Sequence, residues 1–175
     1  MPRKNRWEYL GDFKKNEEGK YEYQGSVYVF AGGDEERKSA YTFLWALAVL
    51  TALFSILSGC ISGAGITNTF YVIIPYLLEI CALFALLWNH IKLLINRNEI
   101  KAYIYKSAHP KIPPSAMFTS FFAIAGFLLS LVFSISTGFK DGVLKAVLYL
   151  ILKLLSAGGA LIYRQKFLKL EWIEI

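Results

Sequence analysis

Apolar residues in this chain are gathered into four long blocks, separated by shorter polar and mostly basic segments. The blocks run over residues 40–59, 70–94, 117–137 and 143–163. Each holds roughly 20 residues, enough at about 1.5 Å of rise per residue to cross a ~30 Å hydrocarbon layer. The pattern predicts a membrane all-α fold, a bundle of four transmembrane helices. Residues 1–39 and 164–175 are then polar tails.

The tails carry a second pattern, an alternation that is typical of strands. In Lys20–Phe30, KYEYQGSVYVF, aromatic and β-branched residues share one parity and polar residues the other. A glycine-containing turn, KNEEG, separates this run from Trp7–Phe13. Together they predict a β-hairpin. A lone hairpin is marginally stable in water, so it needs another strand or a surface to pack on.

Two further segments offer such a strand. They are Glu99–Lys106, EIKAYIYK, and Lys166–Ile175, KFLKLEWIEI. We therefore expect a small cytoplasmic β element of three or four strands, drawn from the N-terminal tail, the middle loop and the C-terminal tail. The alternative for the C-terminal tail is interfacial anchoring, because Trp and Lys side chains favour the headgroup level.

Local signals predict where the helices begin, bend and end. Asp34 is expected to cap the first helix. Pro75 lies inside the second helix and favours a kink there. His109–Pro114, HPKIPP, is expected to be non-helical and to break the chain before the third helix. Small residues recur in the third and fourth helices, which predicts close antiparallel packing between them.

The nineteen Lys and Arg residues are distributed very unevenly, and the formal net charge is +6. Before the first helix lie Arg3, Lys4, Arg6, Lys14, Lys15, Lys20, Arg37 and Lys38. The segment between the second and third helices holds Lys92, Arg97, Lys101, Lys106 and Lys111. Arg164, Lys166 and Lys169 follow the fourth helix. The positive-inside rule therefore predicts a multi-pass inner-membrane protein with both termini cytoplasmic, its basic segments facing the lipid bilayer.

Two ionisable residues lie inside the apolar blocks, Glu79 in the second and Lys153 in the fourth. A charge at the centre of a bilayer costs at least ~2.5–3.5 kcal/mol, so an unpaired one is unfavourable. The two predicted helices run in the same direction, and the residues lie at depths that agree to about 1.5 Å. We expect Glu79 and Lys153 to form an intramembrane pair.

Such a pair has two interpretations. A structural pair fixes the rotation of two helices and contributes specificity more than stability. A functional pair is part of a proton or ion relay. A charge swap between Glu79 and Lys153 is expected to preserve the first and abolish the second. A third possibility is that one residue serves a helix of a partner subunit.

Catalytic and metal-binding signatures are missing from the sequence: it has no HExxH, CxxC, GxSxG, P-loop or GxGxxG pattern. We therefore expect no enzymatic activity, cofactor or metal. Cys60 and Cys81 are too far apart in depth for a disulfide and are expected to be small buried residues. His90 and His109 are expected at the interface and in a loop.

Three functions remain compatible with these features. The preferred one is a non-enzymatic accessory or regulatory subunit that docks a protein partner or a second copy through its cytoplasmic face. The alternatives are an oligomeric ion, proton or small-solute transporter using Glu79 and Lys153, and a membrane-anchored RNA-binding protein. The expected cytoplasmic interaction surface consists of Arg97, Lys101, Tyr103, Tyr105, Lys106 and Lys111. Aromatic side chains interleaved with basic ones can stack nucleic-acid bases.

Overall fold

In the part of the chain that the structure describes, four helices are long and apolar enough to cross a membrane, as the hydrophobic blocks predict. The computed structural model describes residues 12–17, 19–63, 65, 69–95 and 99–175. The long helices are α1 (Asp34–Gly59), α2 (Phe70–Ile95), α4 (Ile112–Ser136) and α5 (Val143–Phe167), and a short helix, α3, covers Ala102–Ala108. The expected third and fourth helices thus correspond to α4 and α5.

The start of α1 differs from the prediction. Asp34 is the first residue of the helix and not its cap, because Gly33 holds the cap position and no side chain bonds to the exposed amides. The acidic residues Asp34, Glu35 and Glu36 occupy the first turn instead. There their charge is favourable with the helix dipole.

The prolines also behave differently from the prediction. His109–Lys111 forms a 3₁₀ turn that leads directly into α4, with prolines in the first turn of both elements. The expected non-helical break is therefore wrong. Amides in a first turn have no partner within the helix, so proline loses nothing there. Pro75 lies inside α2, which continues through it; the expected kink stays a prediction.

The long helices pack side by side in the order α1, α5, α4, α2, and α1 meets α2 only sparsely. The α5 helix therefore lies between α1 and α4, and it faces α2 across the interior through side chains. Small residues of α4 and α5 are buried, among them Ala123, Gly126, Ser130, Ser156 and Ala160. Small side chains allow the close helix approach that favours association in lipid.

Two small sheets stand at the end of the helices where α1 begins and α5 finishes, which we call the sheet end. Strands β1 (Phe13–Lys15) and β2 (Tyr21–Tyr23) form an antiparallel hairpin. Strand β3 (Val27–Phe30) is the centre of a three-stranded antiparallel sheet, between β4 (Ile100–Lys101) and β5 (Trp172–Glu174). The expected sheet from the N-terminal tail, the middle loop and the C-terminal tail is present.

The strand boundaries were predicted less well. Lys20–Phe30 is not one strand, because the chain turns between β2 and β3 and places them in different sheets. The Tyr23 hydroxyl donates to the Ser26 carbonyl across this turn, 3.1 Å away. In Glu99–Lys106 only Ile100 and Lys101 are extended, and α3 follows at once. Most of the expected first strand, Trp7–Phe13, lies outside the described residues.

Aromatic packing fastens the three-stranded sheet to the helices. Tyr28 of β3 stacks on Tyr105 of α3, with ring centroids 4.0 Å apart. Trp172 of β5 contacts Tyr105 at 5.6 Å and Tyr41 of α1 at 6.3 Å. Such ring pairs contribute beyond their buried area. The sheet is therefore continuous with the apolar core at this end.

Candidate functional site: an ion pair buried between the helices

Glu79 of α2 and Lys153 of α5 meet in the interior of the four long helices. Both side chains are fully buried, and Lys153 Nζ donates to Glu79 Oε2. The pairing links the two helices that lie opposite each other in the packing order. The sequence left open whether these helices were neighbours or lay across the interior, and the two side chains span that interior without an intervening group.

Two serine hydroxyls complete the surroundings of the Glu79 carboxylate. Ser55 Oγ of α1 donates to Oε1 at 2.5 Å, and Ser156 Oγ of α5 donates to the same oxygen at 2.8 Å. The two serine oxygens are themselves 2.8 Å apart. These three oxygen–oxygen contacts share two hydroxyl protons, so at any moment one of the three pairs has no proton between its oxygen atoms. Each serine can therefore replace the other as a donor to the carboxylate.

The Lys153 ammonium lies among aromatic rings. Its Nζ is 4.6 Å from the ring centroid of Tyr76 and 5.4 Å from that of Tyr149. Both distances are within cation–π range, and such contacts strengthen when water is excluded. Gly126 of α4 borders the lysine stem: a methyl group there would be in ordinary contact with Lys153 Cε, at 3.6 Å. All four long helices thus contribute to this cluster.

Sequence reasoning found the two charges and missed their companions, although helical spacing offered a signal. Tyr76 precedes Glu79 by three positions, Tyr149 precedes Lys153 by four, and Ser156 follows Lys153 by three. Residues so spaced lie on one face of a helix. Ser55 had no such signal, because its place depends on how α1 packs against α5.

A second buried polar contact lies nearer the sheet end. His90 Nδ1 and the Tyr163 hydroxyl are 2.6 Å apart, and Trp45 stacks on the imidazole with centroids 5.6 Å apart. His90 is 1% exposed, a burial that the sequence did not indicate; its predicted depth at the membrane interface stays a prediction. Its place eleven positions after Glu79 puts it on the same face of α2, about 16 Å along the helix.

Along α2, the two polar levels are separated by apolar side chains. In the described part of that helix, the buried positions between Glu79 and Asn89 are Leu83 and Leu86. On α1, Ala48 and the hydroxyl-bearing Thr51 are buried between Trp45 and Ser55. The Thr51 hydroxyl donates to the Leu47 carbonyl of its own helix.

The cysteines differ from the prediction in one respect. Cys60 and Cys81 are both free thiols, as expected, but both are exposed on the helices instead of buried. A small apolar side chain is compatible with either the helix interior or a lipid-facing surface, and spacing alone did not separate these. His109 is half-buried against Phe167, with ring centroids 5.0 Å apart.

The predicted interaction surface is only partly available. Tyr105 stacks on Tyr28 and Tyr103 packs on Tyr23, with centroids 4.0 and 5.7 Å apart. Both tyrosines are thus engaged within the protein. Their packing leaves little ring area for a ligand.

The basic members of that surface have separate positions. Lys101 Nζ lies 5.5 Å from the Tyr23 ring centroid. Lys106 and Lys111 are exposed, and Lys111 lines a cleft of about 480 Å³ against α2. Arg97 lies outside the described residues. Lys101 lines a different cleft from Lys111, beside Glu22 and Val27.

The exposed carboxylate of Glu174, on the edge strand β5, is hydrogen-bonded to side chains at the start of β3. Ser26 Oγ and the Tyr28 hydroxyl donate to the two oxygens of Glu174, at 2.6 and 2.7 Å. These hydrogen bonds keep the pKa of Glu174 below its usual value. The same contact raises the pKa of Tyr28 to about 12.

The comparisons do not add a relative. No family model matches the chain, and no curated protein or solved structure is significantly similar to it. Within the described residues, no group of three or more His, Cys, Asp or Glu side chains is placed to hold a metal ion.

Proposed function

We propose that the chain is a non-enzymatic, multi-pass inner-membrane protein that serves as an accessory or regulatory subunit. Its four long helices form a transmembrane bundle, and the sheet end faces the cytoplasm, where it docks a partner protein. The length and hydropathy of the helices support the membrane assignment. The excess of basic residues at the sheet end supports the orientation.

The observation that carries this proposal is the internal satisfaction of the ion pair. Glu79 and Lys153 are both 0% exposed, and their partners belong to the same chain. A charge on a transport path needs access to water or to a passing ion at some stage. A sealed pair that joins opposite helices instead fixes their rotation and depth, as buried polar contacts do in other helical assemblies.

The docking role is supported by the outer edge of the three-stranded sheet. Strand β5 is an edge strand of that sheet, paired on one side with β3. Ile173 and Ile175 in this segment are 55% and 73% exposed. An edge strand with exposed apolar side chains is suited to adding a strand from another chain.

Site-specific photo-crosslinking in cells tests the docking role. A crosslinking residue at Ile173 is expected to give an adduct of defined mass, which disappears when Ile175→Asp is added. The matched control is a crosslinker at Ile151, an exposed residue on the outer face of α5. Adducts at Ile173 that are absent, or no more specific than those at Ile151, would refute docking at this edge.

The alternative is an oligomeric ion, proton or small-solute transporter that uses Glu79 and Lys153. The presence of two charges within apolar helices favours it. It has less support because Leu83 and Leu86 lie between the ion pair and His90. Purified protein in vesicles with a pH-sensitive dye tests it: a proton flux that Glu79→Gln abolishes, with the fold retained, would replace the structural interpretation.

RNA binding through the middle loop has the weakest support. Its two tyrosines, Tyr103 and Tyr105, pack on the protein's own rings. Lys101, Lys106 and Lys111 alone would give a diffuse electrostatic attraction. RNA binding that falls steeply with salt, and that Lys106→Gln with Lys111→Gln removes, would revive this function.

A further inference from the structure

A cleft opens between α1 and α2 at the sheet end, where these two helices make only sparse contact. Its volume is about 760 Å³, within the range of small-molecule pockets in proteins. Residues between Arg37 and Trp45 of α1 and between Ile91 and Ile95 of α2 line it. In a transmembrane bundle, this cleft opens sideways toward the lipid at the level of the headgroups.

Cationic side chains form the outer part of the cleft. Arg37 and Lys38 of α1 both line it. Arg37 also contacts Asp34 at 2.9 Å, and Lys38 contacts Glu35 at 3.4 Å, and both carboxylates are mostly exposed. The Lys38–Glu35 pair is exposed on both sides and contributes little free energy, whereas the Arg37 side chain is only 13% exposed. A guanidinium has five N–H donors, so it can bind an anion beside its carboxylate partner.

The wall becomes aromatic with increasing depth along α1, where Tyr41 and Trp45 follow the cations at successive turns. The facing side of the cleft is apolar: Ile95 and Leu94 of α2 lie near its mouth, and Ile91 lies deeper, beside His90 and therefore level with Trp45. Tyr41 is 9% exposed and its hydroxyl oxygen is closed off from solvent, so only part of this side chain borders the cleft.

We propose that this cleft binds a phospholipid with an anionic headgroup. Its phosphate lies at Arg37 and Lys38, and an acyl chain lies along Trp45 and Ile91. The order of cations and then aromatic rings along α1, with aliphatic side chains opposite, matches the order of headgroup and acyl chain in one lipid molecule. This inference rests on the membrane part of the proposed function and is independent of docking by the sheet.

The charge argues for a lipid over a protein helix or a second copy of the chain. A helix of this protein entering the cleft would bring mostly apolar surface to the two cations at its mouth. An anionic headgroup instead adds a charge-assisted contact to these cations, beside their carboxylate partners, while its acyl chain covers the apolar wall. The bilayer also supplies such a lipid at the depth that the cleft occupies.

Native mass spectrometry of the full-length protein tests the proposal. The protein is reconstituted in nanodiscs of equal phosphatidylglycerol and phosphatidylcholine, and the lipid retained after gentle release is counted. One phosphatidylglycerol per chain is expected to be retained. The double variant Arg37→Gln with Lys38→Gln is expected to bind it about thirtyfold more weakly, at roughly a fivefold loss per cation.

Two further variants separate this site from general surface charge. Lys14→Gln with Lys15→Gln removes the same charge from the exposed strand β1 and is expected to leave retention unchanged. Thr42→Trp keeps every charge, fills the cleft from an exposed position, and is expected to abolish retention.

Three results would overturn the proposal: equal retention of both lipids, unchanged retention in the cleft variants, or an equal loss in the Lys14 and Lys15 control. If the cleft variants retain the lipid in a protein that still inserts and still crosslinks at Ile173, the lipid proposal fails and the proposed function stands. Loss of insertion itself would remove both.

Discussion

Gly159 of α5 lies against Thr51 of α1 so closely that a methyl group on the glycine would meet the threonine Oγ1 at 2.5 Å. The same methyl group would be 3.6 Å from Thr51 Cβ, an ordinary contact. The hydroxyl of Thr51 is in turn held by the Leu47 carbonyl, at 2.8 Å. The Thr51 hydroxyl oxygen is therefore the atom that limits the size of the residue at position 159.

Gly159→Ala is accordingly expected to destabilise the protein by about 1–3 kcal/mol, because the hydroxyl must move or the helices must separate. Adding Thr51→Ala removes the conflicting atom and should restore most of the loss. Unfolding in mixed detergent micelles measures both changes. Gly158→Ala is the matched control: its methyl group meets nothing within 4 Å, so it should be neutral or stabilising. Equal effects at both glycines would contradict the packing.

Neutralising one member of the ion pair should cost far more than replacing both. Lys153→Met leaves the Glu79 carboxylate buried without its counter-ion, and a loss of about 3–5 kcal/mol is expected. Adding Glu79→Gln removes the remaining charge and should recover much of it. A double-mutant cycle in the same unfolding assay measures the coupling. Lys145→Met, at an exposed position on α5, is the control and should change little; additive losses would rule out a direct pair.

The charge swap is a poorer test than the sequence suggested. Lys153 lies near the rings of Tyr76 and Tyr149, whose faces attract a cation and repel a carboxylate. Glu79→Lys with Lys153→Glu should therefore recover only part of the stability, even if the pair is purely structural. Adding Tyr76→Leu and Tyr149→Leu should reduce the difference between the original and swapped orders. Full recovery in the simple swap would show that the rings do not select the cation.

The two serines are expected to act redundantly. Ser55→Ala leaves Ser156 to donate to Glu79, and the reverse holds for Ser156→Ala. Each single change should cost about 1 kcal/mol. The double change removes both donors to a buried carboxylate, so its cost should exceed the sum. Ser58→Ala, which loses only a bond to a backbone carbonyl, is the comparison. Simple additivity would indicate that one serine alone serves the carboxylate.

Acid should weaken the three-stranded sheet before it affects the helices. The folded pKa of Glu174 lies below its unfolded value because Ser26 and Tyr28 donate to the carboxylate. Its stabilising effect is therefore fully present above the unfolded pKa and is lost as pH falls through the folded one. Amide exchange at Val27 and Ile175, corrected for intrinsic rates, should accelerate over that interval. Glu174→Gln should flatten this dependence, whereas Glu171→Gln should retain it.

High pH should weaken the same contact through its donor, the Tyr28 hydroxyl. Because the pKa of Tyr28 is raised to about 12, the protonated hydroxyl is favoured in the folded state. That contribution is present below the unfolded value near 10 and disappears as pH rises toward 12. Tyr28→Phe should remove the part of the alkaline titration that this ring contributes, measured as the difference in tyrosinate absorbance between the unsubstituted protein and the variant. An unchanged titration would mean that this ring does not share its proton with Glu174.

The long helices were predictable because an apolar block of membrane length indicates a helix without information from the rest of the chain. Glu79 and Lys153 were predictable for the same reason: a charge inside such a block stands out, and matching depth follows from counting residues. Ser55 did not stand out, because a hydroxyl is common in apolar helices and its partner lies on α5. Knowledge of which helices are neighbours was needed to find it.

The errors occurred where a local pattern fitted two structures. Glu99–Lys106 alternates like a strand, yet only Ile100 and Lys101 pair with β3, and the rest forms α3. Pro113 and Pro114 indicate a break when read alone, but they fit the first turn of α4. In each case the neighbouring element decided the outcome, and that information is not local.

The pairing of Tyr28 with Glu174 has a consequence for biosynthesis. Ribosomes deliver β3 early, whereas β5 emerges only after every long helix has been made. During that interval one edge of β3 has no strand paired to it, and its free N–H and C=O groups can bind chaperones or other nascent chains. The three-stranded sheet is therefore completed only at the end of synthesis. A chain whose synthesis stops after α5 would keep an unpaired edge on β3, which can associate with other proteins.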